Sequence, residues 1–126
     1  MVSTHSAIGV KHSGGKITGC YVHYDGFPRH MMPALEDYVS KFTTTGLVML
    51  ITEAQRHGGL RSFHSADPQG DIDPDGIGHC DPYTDFLSDG EEYAIDETNF
   101  YDDHMGTFAW YLIDYKTGEV ERTDKW

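Results

Sequence analysis

Three groups of side chains in this 126-residue sequence have types and spacings that could do chemistry. The first is Asp71, Asp73 and Asp75 followed by Gly76, the opening of a D-x-D-x-D-G calcium loop. Alternate carboxylates on a loop can converge on a hard cation, and glycine at the sixth place permits the sharp turn. The twelfth place should supply a bidentate Glu, but it is Pro82, with Asp81 and Asp85 the nearest acids. Neither flank reads as a helix. A solvated acidic loop is the competing reading, and bound Ca2+ or Mg2+ would order the loop rather than drive a reaction.

The second group is the histidines: His5, His12, His23, His30, His57, His64, His79 and His104. His79, Cys80 and Asp81 stand together, with His64 upstream, and zinc accepts all three residue types. No C-x-x-C, H-x-x-x-H or H-E-x-x-H spacing occurs, and adjacent residues of an extended chain point to opposite sides. Most of these histidines are expected at the surface or in hydrogen bonds.

The third group lies in the run Tyr21-Val22-His23-Tyr24-Asp25-Gly26-Phe27-Pro28. His23 and Asp25 share one face of a strand end, where an imidazole and a carboxylate could form an acid–base pair or half of a metal site. The structural alternative is favoured, because no nucleophile or third partner stands nearby. In it Asp25 caps the following turn, Gly26 supplies an unusual φ and Phe27 packs a helix on a sheet. No catalytic residue is assigned. A G-x-S-x-G elbow, a Walker loop and a dinucleotide glycine fingerprint are all missing. Cys20 lacks an obvious base, although His23 is close in sequence.

The elements that must position these groups follow from periodicity. Ala7–His12 and Ile17–Tyr24 read as a hairpin around Ser13-Gly14-Gly15-Lys16, since paired glycines permit positive φ. Ile17, Gly19, Tyr21 and His23 fall on one side of the second strand. Both sides carry apolar groups, which suggests a central strand. Pro33 suits a helix first turn, and Leu35, Tyr38, Val39 and Phe42 make one helical stripe. Thr43-Thr44-Thr45 offers caps for a second helix with Leu47, Leu50, Ile51 and Ala54 as its stripe, ended by Gly58-Gly59. Residues 60–90 read as a long irregular acidic segment. Glu92–Ile95, Thr107–Tyr115 and Val120–Thr123 read as strands. The expected fold is a single α+β domain over 1–126: a small antiparallel sheet, formed by the N-terminal hairpin and the C-terminal strands, with two helices on one face.

Charge adds a constraint. The net charge is -12, and residues 62–115 hold 14 Asp/Glu and no Lys or Arg. Such a field repels nucleic acid and anionic membrane and attracts cations or basic protein surfaces. No run approaches the length of a membrane span, and Met1 to Gly15 has no long apolar core of a signal peptide. Two cysteines, Cys20 and Cys80, make no disulfide framework and suit reduced thiols in a cytoplasm.

The stretch from Gly15 to Tyr38 resembles a group of small, mostly uncharacterised phage and prophage proteins. Their hallmark is a hairpin ending in Y-x-H-x-D-G-[YF]-P, followed by a helix with a leucine and a tyrosine. Here those residues are Tyr21, His23, Asp25, Gly26, Phe27, Pro28, Leu35 and Tyr38. Met32 departs from the group, whose members often have glycine there. The resemblance covers about 25 residues closely and the rest loosely. It implies a phage gene product acting in the host cytoplasm, and it implies no reaction.

These readings lead to an expected function: a phage-encoded accessory protein that binds and modulates a host protein with a basic surface, such as a defence or nucleic-acid-handling factor. The expected binding surface is Asp81, Tyr83, Asp85, Phe86, Asp89, Glu91, Glu92, Tyr101, Asp102 and Asp103, with carboxylates for steering and aromatics as anchors. The other reading is a small metal-dependent hydrolase that uses His23, Asp25 and the acidic loop.

Overall fold

The structure is a computed structural model that describes residues 4–24, 26–56, 58–60, 63, 94–104 and 106–124. Strands β1 (His5–Lys11) and β2 (Ile17–Val22) form the expected hairpin. Its turn places Gly14 and Gly15 both at φ 87°, a region closed to most side chains. Helix α1 (Pro28–Gln55) follows, then β3 (Thr107–Asp114) and β4 (Val120–Asp124). The four strands form one sheet in the order β2-β1-β3-β4.

Two features of the expected fold are overturned. The sheet is mixed rather than antiparallel: β3 lies parallel to β1, with Ile8 opposite Tyr111 and Val10 opposite Ile113. The inner strands are therefore β1 and β3, and in β1 Ser6 to Val10 is buried without interruption, as a strand covered on both faces requires. β2, expected to be central, is at the edge of the sheet. Its outer side is capped by single bridges from Gly19 to Ile95 and from Val22 to Leu60. These bridges satisfy edge groups that would otherwise invite another chain. Of the expected strand at Glu92–Ile95, the described part contributes only the Ile95 bridge.

The second correction concerns the helices. One helical element runs from Pro28 to Gln55 where two were expected, and it bends at Thr43, whose φ of 65° and ψ of 173° are non-helical. At the bend Thr43 Oγ1 accepts from the Gly46 N–H at 3.5 Å, the cap bond expected of this triplet, although the helix runs through it as one kinked element. Thr44 Oγ1 also donates to the Tyr115 carbonyl at 2.8 Å, and Thr45 Oγ1 lies 2.9 Å from the Tyr115 hydroxyl. These bonds fix the bend to the chain just after β3. The helix also begins earlier than expected. Pro28 takes the first turn, and Pro33 lies inside the helix.

The apolar stripes do face the sheet. Leu35, Leu47, Leu50, Ile51 and Ala54 are fully buried against Ile8, Val10, Cys20, Val22, Tyr111 and Ile113. Each fully buried Leu or Ile contributes about 1.5–3 kcal/mol. Gly58 and Gly59, at φ 87° and 123°, then turn the chain so that Leu60 N–H donates to the Tyr21 carbonyl at 2.7 Å. No helix among the described residues is long and apolar enough to cross a membrane.

The opposite face of the sheet is covered as well. A strap, residues 94–104, crosses it and buries Ile95 and Phe100 against Ala7, Tyr21, Trp110 and Leu112. The contact depends on two glycines that face each other across β1 and β2, Gly9 and Gly19. A Cβ on Gly9 would stand 2.7 Å from Phe100 Cε1, and one on Gly19 would stand 3.1 Å from Ile95 Cγ2. The missing side chains make the seat for the strap.

Candidate functional site

The hairpin register gathers the first candidate site. Counting outward from Lys11 opposite Ile17 to Ser6 opposite Val22, the next step brings His5 opposite His23. Their rings stack with centroids 4.5 Å apart and planes 25° apart. The Tyr21 hydroxyl lies 2.8 Å from His23 Nδ1. Tyr24 stands edge-on to His23 at 4.5 Å, and Tyr21 edge-on to His5 at 5.8 Å. Both imidazoles are half-buried, so they are held by neighbours yet still reach solvent. Chemically this is a pair of nitrogen ligands or proton carriers, one of them oriented by a phenol.

The rest of the motif holds the fold together. Gly26 N–H donates to the Thr4 carbonyl at 2.9 Å, and Tyr111 Oη donates to the Gly26 carbonyl at 2.6 Å. A Cβ on Gly26 would meet Thr4 O at 2.6 Å and Ser6 Oγ at 2.7 Å. Glycine is needed there for close approach of backbone to backbone. Burial raises the Tyr111 phenol far above the ordinary tyrosine range, with Arg122 acting in the opposite direction. Phe27 is the residue that precedes the helix, and Pro28 starts it. His30 Nε2 lies 2.7 Å from the Phe63 carbonyl and ties the first turn to the segment beyond the helix. For Gly26, Phe27 and Pro28 the structural role is the one the geometry carries.

The acidic strap is the second candidate. Asp96, Glu97, Asp102 and Asp103 are all exposed on it, and it holds no Lys or Arg. Two of these carboxylates brace the strap. Asp96 accepts from the Thr98 hydroxyl and the Thr98 N–H, which hold its carboxyl below the usual range. Asp103 accepts from Gly106 N–H and Thr107 N–H. Trp110 Nε1 donates to the Asp102 carbonyl at 3.3 Å, and the His104 ring, buried, reaches the Asn99 carbonyl at 3.0 Å. Tyr101 is 54% exposed and lies between Trp110 and β4. Its phenol is pushed up by partial burial and by Glu121, against a hydrogen bond from Thr123.

The structure thus brings together Tyr21 and His23, and separately Tyr101, Asp102 and Asp103. Asp25, the acidic and aromatic residues Asp81, Tyr83, Asp85, Phe86, Asp89, Glu91 and Glu92, and the proposed cation ligands Asp71, Asp73 and Asp75 lie outside the described residues. Among the described residues no three His, Cys, Asp or Glu side chains converge as metal ligands. The sequence reading names His5 only among the eight histidines and does not join it to His23, although extending the hairpin register one step past Ser6–Val22 sets them opposite each other. It also passed over a cleft of about 400 Å³ lined by Phe27, Pro28, Arg29, Arg122 and Asp124. Its walls come from the start of α1 and from β4, segments far apart in the chain, so no local pattern marks it. Arg122 there is paired with Asp124 at 2.9 Å.

No protein-family model, curated protein or solved structure matches this chain.

Proposed function

We propose that this chain is a binding protein whose strap face engages a basic surface on a partner protein. The observation that carries this reading is the exposed group Glu97, Tyr101 and Asp102 on a strap with no positive charge, fixed to a rigid sheet by buried Phe100 and Ile95. A preorganised aromatic loses little conformational freedom on binding, and surrounding carboxylates speed encounter with a basic patch. In the sequence, residues 62–93 before the strap are acidic as well, with no Lys or Arg. On the resemblance of the Tyr21–Pro28 motif, the partner is a bacterial host factor met in the cytoplasm during phage infection.

The test is capture from nuclease-treated bacterial lysate on the immobilised full chain, in low and high salt. The expected result is a basic protein retained at low salt, released as salt rises, and lost with the double variant Tyr101→Ala, Asp102→Asn. Capture that ignores both salt and the double variant overturns the reading.

A further inference from the structure

We infer that His5 and His23 form a two-imidazole chelate for a divalent transition metal of the Zn2+ or Cu2+ class. The rings come from neighbouring strands, face the same side of the sheet and sit 4.5 Å apart between centroids. Zinc bound about 2.0–2.1 Å from each nitrogen needs the two nitrogens roughly 3–3.5 Å apart, and because imidazole lone pairs lie in the ring planes, the stacked rings must turn toward one another to reach it. Both rings are half-buried, which leaves room for water to complete the coordination sphere.

The stronger argument is the Tyr21 hydroxyl, 2.8 Å from His23 Nδ1. In the tautomer that places the proton on Nδ1, Nδ1–H donates to that phenolic oxygen and Nε2 carries the lone pair as the ligating atom; metal binding selects this tautomer. Metal-bound histidines are oriented in this way by a partner on the other nitrogen. Tyr21 is fully buried, so the partner is fixed before any metal arrives. Tyr24, edge-on to His23, restricts the ring further. Beside His5 stands Gly106, which adds no side chain; a Cβ there would stand 3.7 Å from His5 Nδ1. Imidazole pairs suit copper and zinc, with copper bound more tightly by the usual order of divalent metals. Tyr21 is a positioning residue in this site, and His5 and His23 are the ligands.

The experiment titrates ZnCl2, and separately CuCl2, into the full chain at pH 7.5 in 0.3 M salt, followed by calorimetry. The expected result is one saturable event that weakens by roughly tenfold or more in His5→Gln and in His23→Gln. Tyr21→Phe is expected to weaken it about tenfold, and His12→Gln to leave it unchanged. Circular dichroism checks that each variant is folded. If a variant is unfolded, two-dimensional NMR of the imidazole nitrogens in the natural chain replaces it, and Zn2+ must shift the signals of both His5 and His23. Zinc binding that is indifferent to both histidine substitutions, or imidazole signals that do not move, overturns the assignment.

Discussion

The hydroxyl of Tyr111 donates a buried 2.6 Å hydrogen bond to the carbonyl of Gly26, joining the middle of β3 to the turn that launches the helix. One bond therefore links the hairpin exit, the helix start and the parallel strand. Tyr111→Phe leaves a buried carbonyl without its donor and is expected to cost about 1–3 kcal/mol in urea denaturation. Gly26→Ala is expected to cost about 3 kcal/mol, because the atoms it would strike at 2.6 Å and 2.7 Å belong to backbone and to a fully buried serine. Wild-type stability in either variant would show that this junction is not a structural hub.

Gly9 and Phe100 are expected to behave as one unit. Phe100→Ala should cost about 3–5 kcal/mol by leaving a cavity under the strap. Gly9→Ala should cost about 1–3 kcal/mol by collision with the same ring. In the double variant the alanine methyl has space, so the two losses should fall short of additivity by about 1 kcal/mol or more. Strict additivity in a double-mutant cycle would contradict the proposed seat.

Thr43 holds a β-branched side chain at φ 65° and ψ 173°, a conformation that belongs almost wholly to glycine. Thr43→Gly is expected to raise stability by about 1 kcal/mol, the relieved strain exceeding the added freedom of the unfolded chain. Thermal unfolding measures it, and a lower midpoint would mean that the threonine side chain contributes more than its backbone costs.

Acid stability should depend on Asp114. Its carboxylate accepts the Thr117 and Lys116 N–H groups, and these bonds hold its pKa below the ordinary 3.8. A lowered folded pKa adds stability that is present above 3.8 and disappears as pH falls through the folded value. Asp114→Asn should therefore lose less stability than the natural chain between pH 4 and pH 2, read by denaturation at each pH. An unchanged acid limb would show that this turn does not contribute.

Alkaline behaviour should single out Tyr111. Burial raises its phenol above the usual 10.0, so its contribution to stability is whole below pH 10 and falls away above it. Absorbance titration should show a tyrosine fraction that ionises only as the chain unfolds, and Tyr111→Phe should reduce that fraction by one residue.

The sequence alone determined the local parts. Two glycines placed the first turn, alternation placed the strands, and the stripes Leu35-Tyr38 and Leu47-Leu50-Ile51-Ala54 named the buried face of the helix. These are legible because strand and helix periods are properties of neighbouring residues. Only the tertiary structure decided that β3 enters parallel beside β1, that one bent helix replaces two, and that Phe100 fills the gap above Gly9. Each of those depends on contacts between segments far apart in the chain. The threonine triplet shows both levels: Thr43 makes the cap bond to Gly46 N–H that local preference expects, while the bonds from Thr44 and Thr45 to Tyr115, some 70 residues away, exist only in the folded chain. His5 beside His23 lies between the two cases. Its pairing was written in the hairpin count, but the ring stack and the phenol at Nδ1 exist only once the sheet is folded.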